Sequence, residues 1–244
     1  MGRLREIFEA NTDGNQIHKW LHYFDIYERH FERFVGKEVN ILEIGVYHGG
    51  SLDMWKKYFG EKVRIYAVDI NPNCKVFEDE RTKIFIGSQE DRPFLRELRK
   101  QLPPMDIIID DGGHTMRQQI VSYEELYGQV KSDGVYLVED LHTSYWSRFG
   151  GGLKRKTSFI EYSKNFIDQL NSWHYQETPD DFARVTHSIH YYDSIIVLEK
   201  KPIEKPSDKR IGDMKVIDPL SFPYTDTRGV LEKLSDKLLG RKKG

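Results

Sequence analysis

Short apolar runs alternate with amphipathic helical patterns through the middle of this chain, and this alternation limits the possible fold more than any other feature. The runs have strand length and lie at Val39–Ile44, Val63–Val68, Lys83–Ile86, Met105–Ile109 and Val135–Val138, with helical patterns between them at Ser51–Phe59, Arg92–Gln101 and Met116–Tyr127. Such alternation indicates a parallel sheet covered by helices on both faces. Strands buried on both faces are expected to be this apolar.

A late hairpin completes the predicted sheet. The stretch Ile189–Glu199 has the pattern of strand, with a turn at 192–194, and it would put an antiparallel strand at the sheet edge. We therefore predict an α/β fold with a Rossmann-like, doubly wound, mostly parallel seven-stranded sheet. A longer helix is expected over Ser158–Trp173.

The chain divides into three regions in this interpretation. Residues 1–37 form an N-terminal helical segment, 38–200 the catalytic domain, and 201–244 a C-terminal tail that packs on the domain or on a partner subunit. Apolar residues recur at helical spacing in the first region and predict an amphipathic helix there: Ile17, Trp20, Leu21, Phe24, Tyr27, Phe31 and Phe34. The tail ends in a shorter pattern of the same kind, Val230, Leu231, Leu234 and Leu238.

Composition limits the partners and the compartment. The net charge of -2 over 244 residues gives no sign of a nucleic-acid or membrane-surface partner. The single cysteine, Cys74, cannot form an intrachain disulfide, and no apolar run approaches the roughly 20 residues of a membrane span. We expect a cytoplasmic protein with a small-molecule partner, no nucleic acid and no membrane, and we leave a homo-oligomer open.

The turn after the first strand has the features of a cofactor site. A strand runs into Gly45, Gly49 and Gly50 follow, and a helix begins near Ser51. Glycines let the backbone approach a ligand closely, and a helix N-terminus offers unpaired N–H groups. The second strand ends in Asp69, 24 residues after Gly45, where an acid can accept both ribose hydroxyls of an adenosine.

The spacing of this turn favours S-adenosylmethionine (SAM) over a dinucleotide. Dinucleotide folds use G-x-G-x-x-G, whereas this turn has G-x-x-x-G-G with Glu43 two residues before Gly45. SAM carries an ammonium and a sulfonium rather than a pyrophosphate, so a nearby acid is favourable. The predicted cofactor-binding residues are Glu43, Gly45, Gly49, Ser51, Asp69, Asp110 and, after the third strand and near the adenine, Ser88 and Gln89.

Four carboxylates follow two strands that should be neighbours. Asp110 and Asp111 end the fourth strand, and Glu139 and Asp140 end the fifth. Carboxylates packed together repel one another, which costs free energy unless a cation compensates their charge. We therefore predict a divalent cation here, and oxygen ligands suit Mg²⁺ or Mn²⁺. His114 follows Asp111 across a Gly-Gly turn and can serve as the general base that deprotonates an alcohol.

The segment after the fifth strand, residues 142–155, has a pattern that predicts a lid over this site. Tyr145 and Trp146 could stack on a sugar or aglycone face, and three successive glycines, Gly150 to Gly152, would supply hinge freedom. These two aromatics are the predicted acceptor-binding residues.

The motifs E-I-G-V-Y-H-G-G-S, D-D-G-G-H and V-E-D-L-H-T-S-Y-W together resemble those of the metal-dependent sugar O-methyltransferases of macrolide biosynthesis, class I methyltransferases of the mycinamicin and tylosin pathways. The resemblance covers about residues 12–200, and we expect the catalytic domain only, without the extra N-terminal domain of those enzymes. It implies Asp111, Glu139 and Asp140 as metal ligands and His114 as the base. It also implies that Thr12–Asp13 approaches the site and that the acceptor is a glycoside or saccharide.

Two other classes of function stay open on the sequence. An NAD(P)-dependent oxidoreductase would share the fold, but the glycine spacing and the lack of a recognisable Tyr-x-x-x-Lys catalytic pair disfavour it. A non-catalytic SAM-binding protein would have no use for four converging carboxylates.

Overall fold

The computed structural model describes residues 2–213 and shows a seven-stranded sheet between two helical layers. The strands are β1 (Val39–Ile44), β2 (Val63–Asp69), β3 (Thr82–Ile86), β4 (Met105–Asp110), β5 (Val130–Val138), β6 (Thr186–Tyr192) and β7 (Ile195–Lys200). The helices are α1 (Arg3–Glu9), α2 (Tyr23–Phe31), α3 (Gly50–Phe59), α4 (Arg92–Gln101), α5 (Met116–Leu126), α6 (Phe159–Ser163), α7 (Asn165–Leu170) and α8 (Asp181–Val185). Short 3₁₀ helices lie at Glu32–Phe34, Pro72–Phe77, Tyr127–Gln129, Leu141–Tyr145, Ser147–Phe149 and Ser172–His174.

The strand order is β3-β2-β1-β4-β5-β7-β6, which confirms the predicted doubly wound, mostly parallel sheet. The strands from β3 to β5 pair in parallel, and β7 runs antiparallel to both of its neighbours. The predicted hairpin is present, but its antiparallel strand is not at the edge. It lies between β5 and β6, where Ile195–Leu198 are buried, and β6 forms the edge.

Side chains of successive strand residues serve two separate cores. In β4, Ile107 and Ile109 face a core built with α1, α2 and α3, whereas Ile108 faces a core built with α4, α5, α6 and α7. This follows from the two-residue period of a strand. All six residues of β4 are buried, as expected for a central strand covered on both faces.

The helix predicted from the apolar stripe of the N-terminal region corresponds to α2, and α2 is shorter than the stripe. It begins at Tyr23, and residues 11–22 form no helix. The stripe is buried from Phe24 onward, whereas Trp20 and Leu21 are about half exposed, at 49% and 51%. The segment before Tyr23 is not helical, and residues 16–20 of it line a cleft.

The single helix predicted over Ser158–Trp173 is also wrong, because the structure divides this stretch into α6, α7 and a 3₁₀ turn. Ser158 caps α6 by accepting from the N–H of Glu161 at 3.3 Å. Ser163 donates to the carbonyl of Ile160 at 2.9 Å, a local bond that competes with helix continuation. In the tail, residues 201–213 have no regular structure, and the pattern around Leu234 lies outside the described residues.

Candidate active site

A cleft of about 770 Å³ opens at the carboxyl ends of the parallel strands. Its walls come from the loops after β1, β2, β3, β4 and β5 and from residues 16–20 and 23 of the N-terminal segment. This is the edge where open α/β sheets bind ligands, and the size lies in the range of small-molecule sites. Of the predicted site residues, the cleft is lined by Gly45, Ser51, Asp69, Ser88, Gln89, Asp111, His114, Glu139 and Asp140.

Asp69 holds the turn after β1 against the end of β2. Its Oδ2 accepts from the N–H groups of Val46 and Tyr47 at 2.8 and 3.2 Å, and its Oδ1 accepts from Asn71 at 2.8 Å. Gly45 has a φ of +97°, a conformation that glycine tolerates and other residues rarely adopt. The predicted glycine turn and second-strand acid therefore form one unit on the cleft wall.

Glu43 and Gly49 support this unit from behind the cleft wall. Glu43 is fully buried and accepts from Ser51 Oγ at 3.1 Å and from the Trp55 ring N–H at 3.2 Å. Burial raises the pKa of Glu43 to about 7. Gly49 caps α3 with a φ of +76°. The role of both in binding a cofactor stays a prediction, and the contacts place Ser51 between Glu43 and the cleft.

Gln89 connects the loops after β3 and β4. Its amide donates to Asp110 Oδ1 at 2.9 Å and to Ser122 at 3.0 Å, and its oxygen accepts from the N–H of Gly113 at 2.7 Å. Asp110 is fully buried beneath the cleft, and burial raises its pKa to about 7. Ser88 lies on the wall itself, so it is the more accessible of the two predicted adenine contacts.

Three potential metal ligands converge on the cleft floor. Asp111, His114 and Asp140 offer ligand atoms that all lie within 4.8 Å of one another. His114 Nε2 lies 3.5 Å from Asp140 Oδ2 and 3.9 Å from Asp111 Oδ1. The sheet register produces this meeting, because Asp110 of β4 pairs with Val138 of β5 and the following residues leave the sheet side by side.

Glu139 faces a lysine that the sequence analysis did not select. Lys19 Nζ lies 2.9 Å from Glu139 Oε2 and also donates to Asp111 Oδ2. Burial lowers the pKa of Lys19, but the carboxylates of Asp111, Glu139 and Glu43 outweigh burial, so the net pKa is raised well above its usual value. Burial and Asp111 raise the pKa of Glu139 against the opposing effect of Lys19.

The backbone at this floor is held in an uncommon conformation. Tyr47, His114 and Asp140 have φ angles of +52°, +57° and +55°, and all three line the cleft. Residues other than glycine rarely occupy this region, and they do so most often at functional sites. Asp140 is held further by the Tyr23 hydroxyl, which donates to its Oδ1 at 2.7 Å.

The chain is similar in sequence to known O-methyltransferases. The chain is 35% identical over 202 residues to demethylmacrocin O-methyltransferase of Streptomyces fradiae, covering 75% of this chain and 50% of that protein. It is 35% identical over 198 residues to 8-demethyl-8-(2-methoxy-alpha-L-rhamnosyl)-tetracenomycin-C 3'-O-methyltransferase of Streptomyces olivaceus, covering 74% and 50%. No family model matches the chain.

A solved structure extends the likeness to three dimensions. The methyltransferase MycE of the mycinamycin biosynthetic pathway, in complex with Mg, SAH and mycinamycin VI, superposes with a TM-score of 0.74 at 28% identity. The match covers 82% of this chain and 54% of MycE. The chain is a homologue of these O-methyltransferases. It has their class I methyltransferase fold and spans about half the length of the curated relatives it matches.

In this O-methyltransferase homologue, the two predicted acceptor residues lie at the rim. Tyr145 and Trp146 are 49% and 40% exposed, and neither lines the cleft formed by the described residues. Trp146 packs on His142 with ring centroids 4.6 Å apart, and His142 packs on Trp20 at 5.5 Å. Trp20 does line the cleft, so an aromatic row leads from the rim into it. The acceptor role of Tyr145 and Trp146 stays a prediction.

Lys19 and Tyr23 are the site residues that the sequence analysis of this homologue missed. Both lie between residues of the apolar stripe of the N-terminal region, which predicted core packing, and their partners are 92 to 120 residues away. A lysine is rarely fully buried unless it is paired, but a single sequence does not show that Lys19 is buried. Thr12 and Asp13 are exposed and do not line the cleft, so their predicted approach to the site is not seen in the described residues.

Proposed function

We propose that this chain is a SAM-dependent, divalent-metal-dependent O-methyltransferase that methylates a hydroxyl of a glycoside or saccharide. The observation that carries the proposal is the convergence of Asp111, His114 and Asp140 in the same cleft as Gly45 and Asp69. The relatives named above are O-methyltransferases, and MycE carries Mg and SAH. This convergence would bring a methyl donor, a metal and a base to one point.

The donor set fits a hard divalent cation. Asp111, Glu139 and Asp140 supply oxygen ligands, which Mg²⁺ and Mn²⁺ prefer. Oε1 of Glu139 is buried without a hydrogen-bond partner among residues 2–213, and the Lys19 ammonium, itself a cation, pairs with Asp111 and Glu139. A divalent cation held there would lower the pKa of an acceptor hydroxyl and orient it.

The chain's own residues would then perform the proton and methyl transfer. Asp69 would bind the ribose hydroxyls of SAM, with the donor against the turn at Gly45. The acceptor oxygen would attack the sulfonium methyl, the carbon–sulfur bond would break with its electron pair going to sulfur, and S-adenosylhomocysteine would leave. His114 Nε2, on the cleft floor, would take the hydroxyl proton.

The partners and the location belong to the same proposal. We infer a small-molecule glycoside acceptor and a cytoplasmic location, with neither nucleic acid nor a membrane as partner, and we include a homo-oligomer as a hypothesis. Within residues 2–213, the structure has no helix with both the length and the hydropathy that crossing a membrane requires.

The test is methyl transfer from isotopically labelled SAM to a panel of glycosides, including rhamnosylated polyketides, with Mg²⁺ or with EDTA. The expected product is heavier by one methyl group and forms only with Mg²⁺. Asp111→Asn should abolish transfer, whereas Asp133→Asn, an exposed acid at the other end of β5, should not. Full activity in EDTA would exclude the metal, and stabilisation by NADPH but not by SAM would favour the oxidoreductase.

A further inference from the structure

Lys19 is buried against the acidic cluster, which is formed by Asp111, Glu139 and Asp140, and is shielded from solvent. Its side chain is 3% exposed, its ammonium contacts Asp111 Oδ2 and Glu139 Oε2, and it lies 5.8 Å from the centre of the Tyr27 ring. A buried ammonium is stable only when it is paired. Lys19 comes from the segment before α2, so the N-terminal region contributes a fixed positive charge to a site otherwise built at the ends of β4 and β5.

Each of these two carboxylates has a second oxygen that Lys19 does not contact. The second oxygen of Asp111 lies on the side of His114, at 3.9 Å, and the second oxygen of Glu139 has no hydrogen-bond partner in the described part of the chain. Each carboxylate has two oxygens and can therefore contact two cations at once. The oxygens that Lys19 does not contact, Asp111 Oδ1 and Glu139 Oε1, are the ones that a divalent cation would bind.

We propose that Lys19 is a positioning residue that shares Asp111 and Glu139 with the divalent cation and thereby limits the affinity of the site for that cation. The inference rests on the metal dependence proposed above. The negative charge of the three acids, Asp111, Glu139 and Asp140, would be balanced by one ammonium and one divalent ion together. The two cations repel each other across a buried site, where charges interact more strongly than in water.

This arrangement has a consequence that a purely structural lysine would not have. If Lys19 only anchored the N-terminal segment, its loss would loosen the ligands and weaken metal binding. If it shares the ligands with the metal, its loss removes a repulsive charge and leaves more negative charge for the metal to bind. Metal affinity should then increase although the protein without metal becomes less stable.

The experiment measures Mn²⁺ binding to the full chain by electron paramagnetic resonance, without SAM or acceptor. Lys19→Met should bind Mn²⁺ at least about tenfold more tightly than the wild type. Lys19→Gln, which keeps hydrogen-bond donors but not the charge, should show the same direction. Lys131→Met is the matched control, because Lys131 also pairs with a carboxylate, Asp106 at 2.8 Å, but at the opposite end of the strands.

The thermal unfolding of each variant is also measured with and without Mn²⁺. A variant that folds only in the presence of Mn²⁺ then still reports its affinity through the stabilisation that the metal provides. Unchanged or weaker binding in both Lys19 variants would overturn the inference while leaving the proposed metal dependence in place. Absence of Mn²⁺ binding to the wild type and to both variants would overturn the two together. Failure of both variants to fold even with Mn²⁺ would make Lys19 a structural anchor and overturn the inference alone.

Discussion

Gly45 lies directly against the backbone of Asp111, so that a Cβ on Gly45 would stand 2.1 Å from the Asp111 carbonyl oxygen. The contact joins the turn after β1 to the loop that carries the acidic cluster. It requires a glycine for two reasons: the φ of +97° and the lack of space. The cofactor turn and the proposed metal site are therefore coupled through one backbone contact.

Gly45→Ala should destabilise the protein more than Gly60→Ala. Both positions have a similar positive φ, +97° and +93°, but no atom of the described residues lies within 4 Å of a Cβ at Gly60. Each variant should lose about 1–3 kcal/mol to backbone strain, and only Gly45→Ala should lose more through the clash. Urea unfolding gives the two free energies of unfolding, and equal losses would contradict the close contact.

Asp69→Asn should weaken SAM binding by about 1.5–3 kcal/mol, because an amide replaces the charged acceptor of the ribose hydroxyls. The substitution is conservative in shape, and its remaining oxygen can still accept from the loop that Asp69 now holds through Val46 and Tyr47. Isothermal calorimetry with SAM measures the change. Asp133→Asn serves as the control, and an unchanged SAM affinity in Asp69→Asn would remove Asp69 from the cofactor site.

His114→Ala should reduce kcat by about 10²–10⁴-fold, the usual contribution of a positioned base. SAM and Mn²⁺ affinities should stay close to those of the wild type, because Asp111, Glu139 and Asp140 are the proposed ligands. The geometry also permits the opposite assignment, since His114 Nε2 lies 3.5 Å from Asp140. A large loss of Mn²⁺ binding would therefore make His114 a ligand, and a wild-type kcat would make it a bystander.

The stability of the fold should depend on pH through Glu199. Burial opposes its charge, but hydrogen bonds from His30 and Arg33 outweigh burial and lower the pKa of Glu199 from 4.5 to about 2. A carboxyl with a lowered folded pKa stabilises the protein above its unfolded pKa, and this stabilisation is lost as the pH falls from 4.5 towards 2.

Glu199→Gln should therefore cost about 2 kcal/mol near neutral pH, after allowance for the partly exposed Arg33. The difference from the wild type should shrink by about 1 kcal/mol near pH 3.5. Urea unfolding at the two pH values tests this. Glu97→Gln is the control, because the Glu97 carboxylate pairs only with Lys100 among residues 2–213, on the surface. A difference that does not vary with pH would contradict the assignment.

The local pattern of apolar residues was sufficient to predict the parallel strands of the sheet. The apolar runs at Val39–Ile44 and Met105–Ile109 predicted β1 and β4 to within one residue, because a strand covered on both faces leaves its composition in the sequence. The predicted position of the antiparallel strand, at the sheet edge, was wrong, because β7 lies between β5 and β6. The sequence of Ile195–Lys200 is compatible with an edge strand and with an inner strand. Only the pairing of this strand with β5 decides between the two positions.

For the site, the sequence by itself determined that the carboxylates after two neighbouring parallel strands lie close together, because residues that follow such strands leave the sheet together. It predicted a group of four, Asp110, Asp111, Glu139 and Asp140, with His114 near them across a short turn, and the choice of three metal ligands came from the resemblance to known methyltransferases. Only the tertiary structure decided that Glu43 and Asp110 lie beneath the cleft wall and that Lys19 enters the cluster. Burial and pairing between residues about 100 positions apart depend on how the N-terminal segment folds over the sheet, and no local period in the sequence records that path.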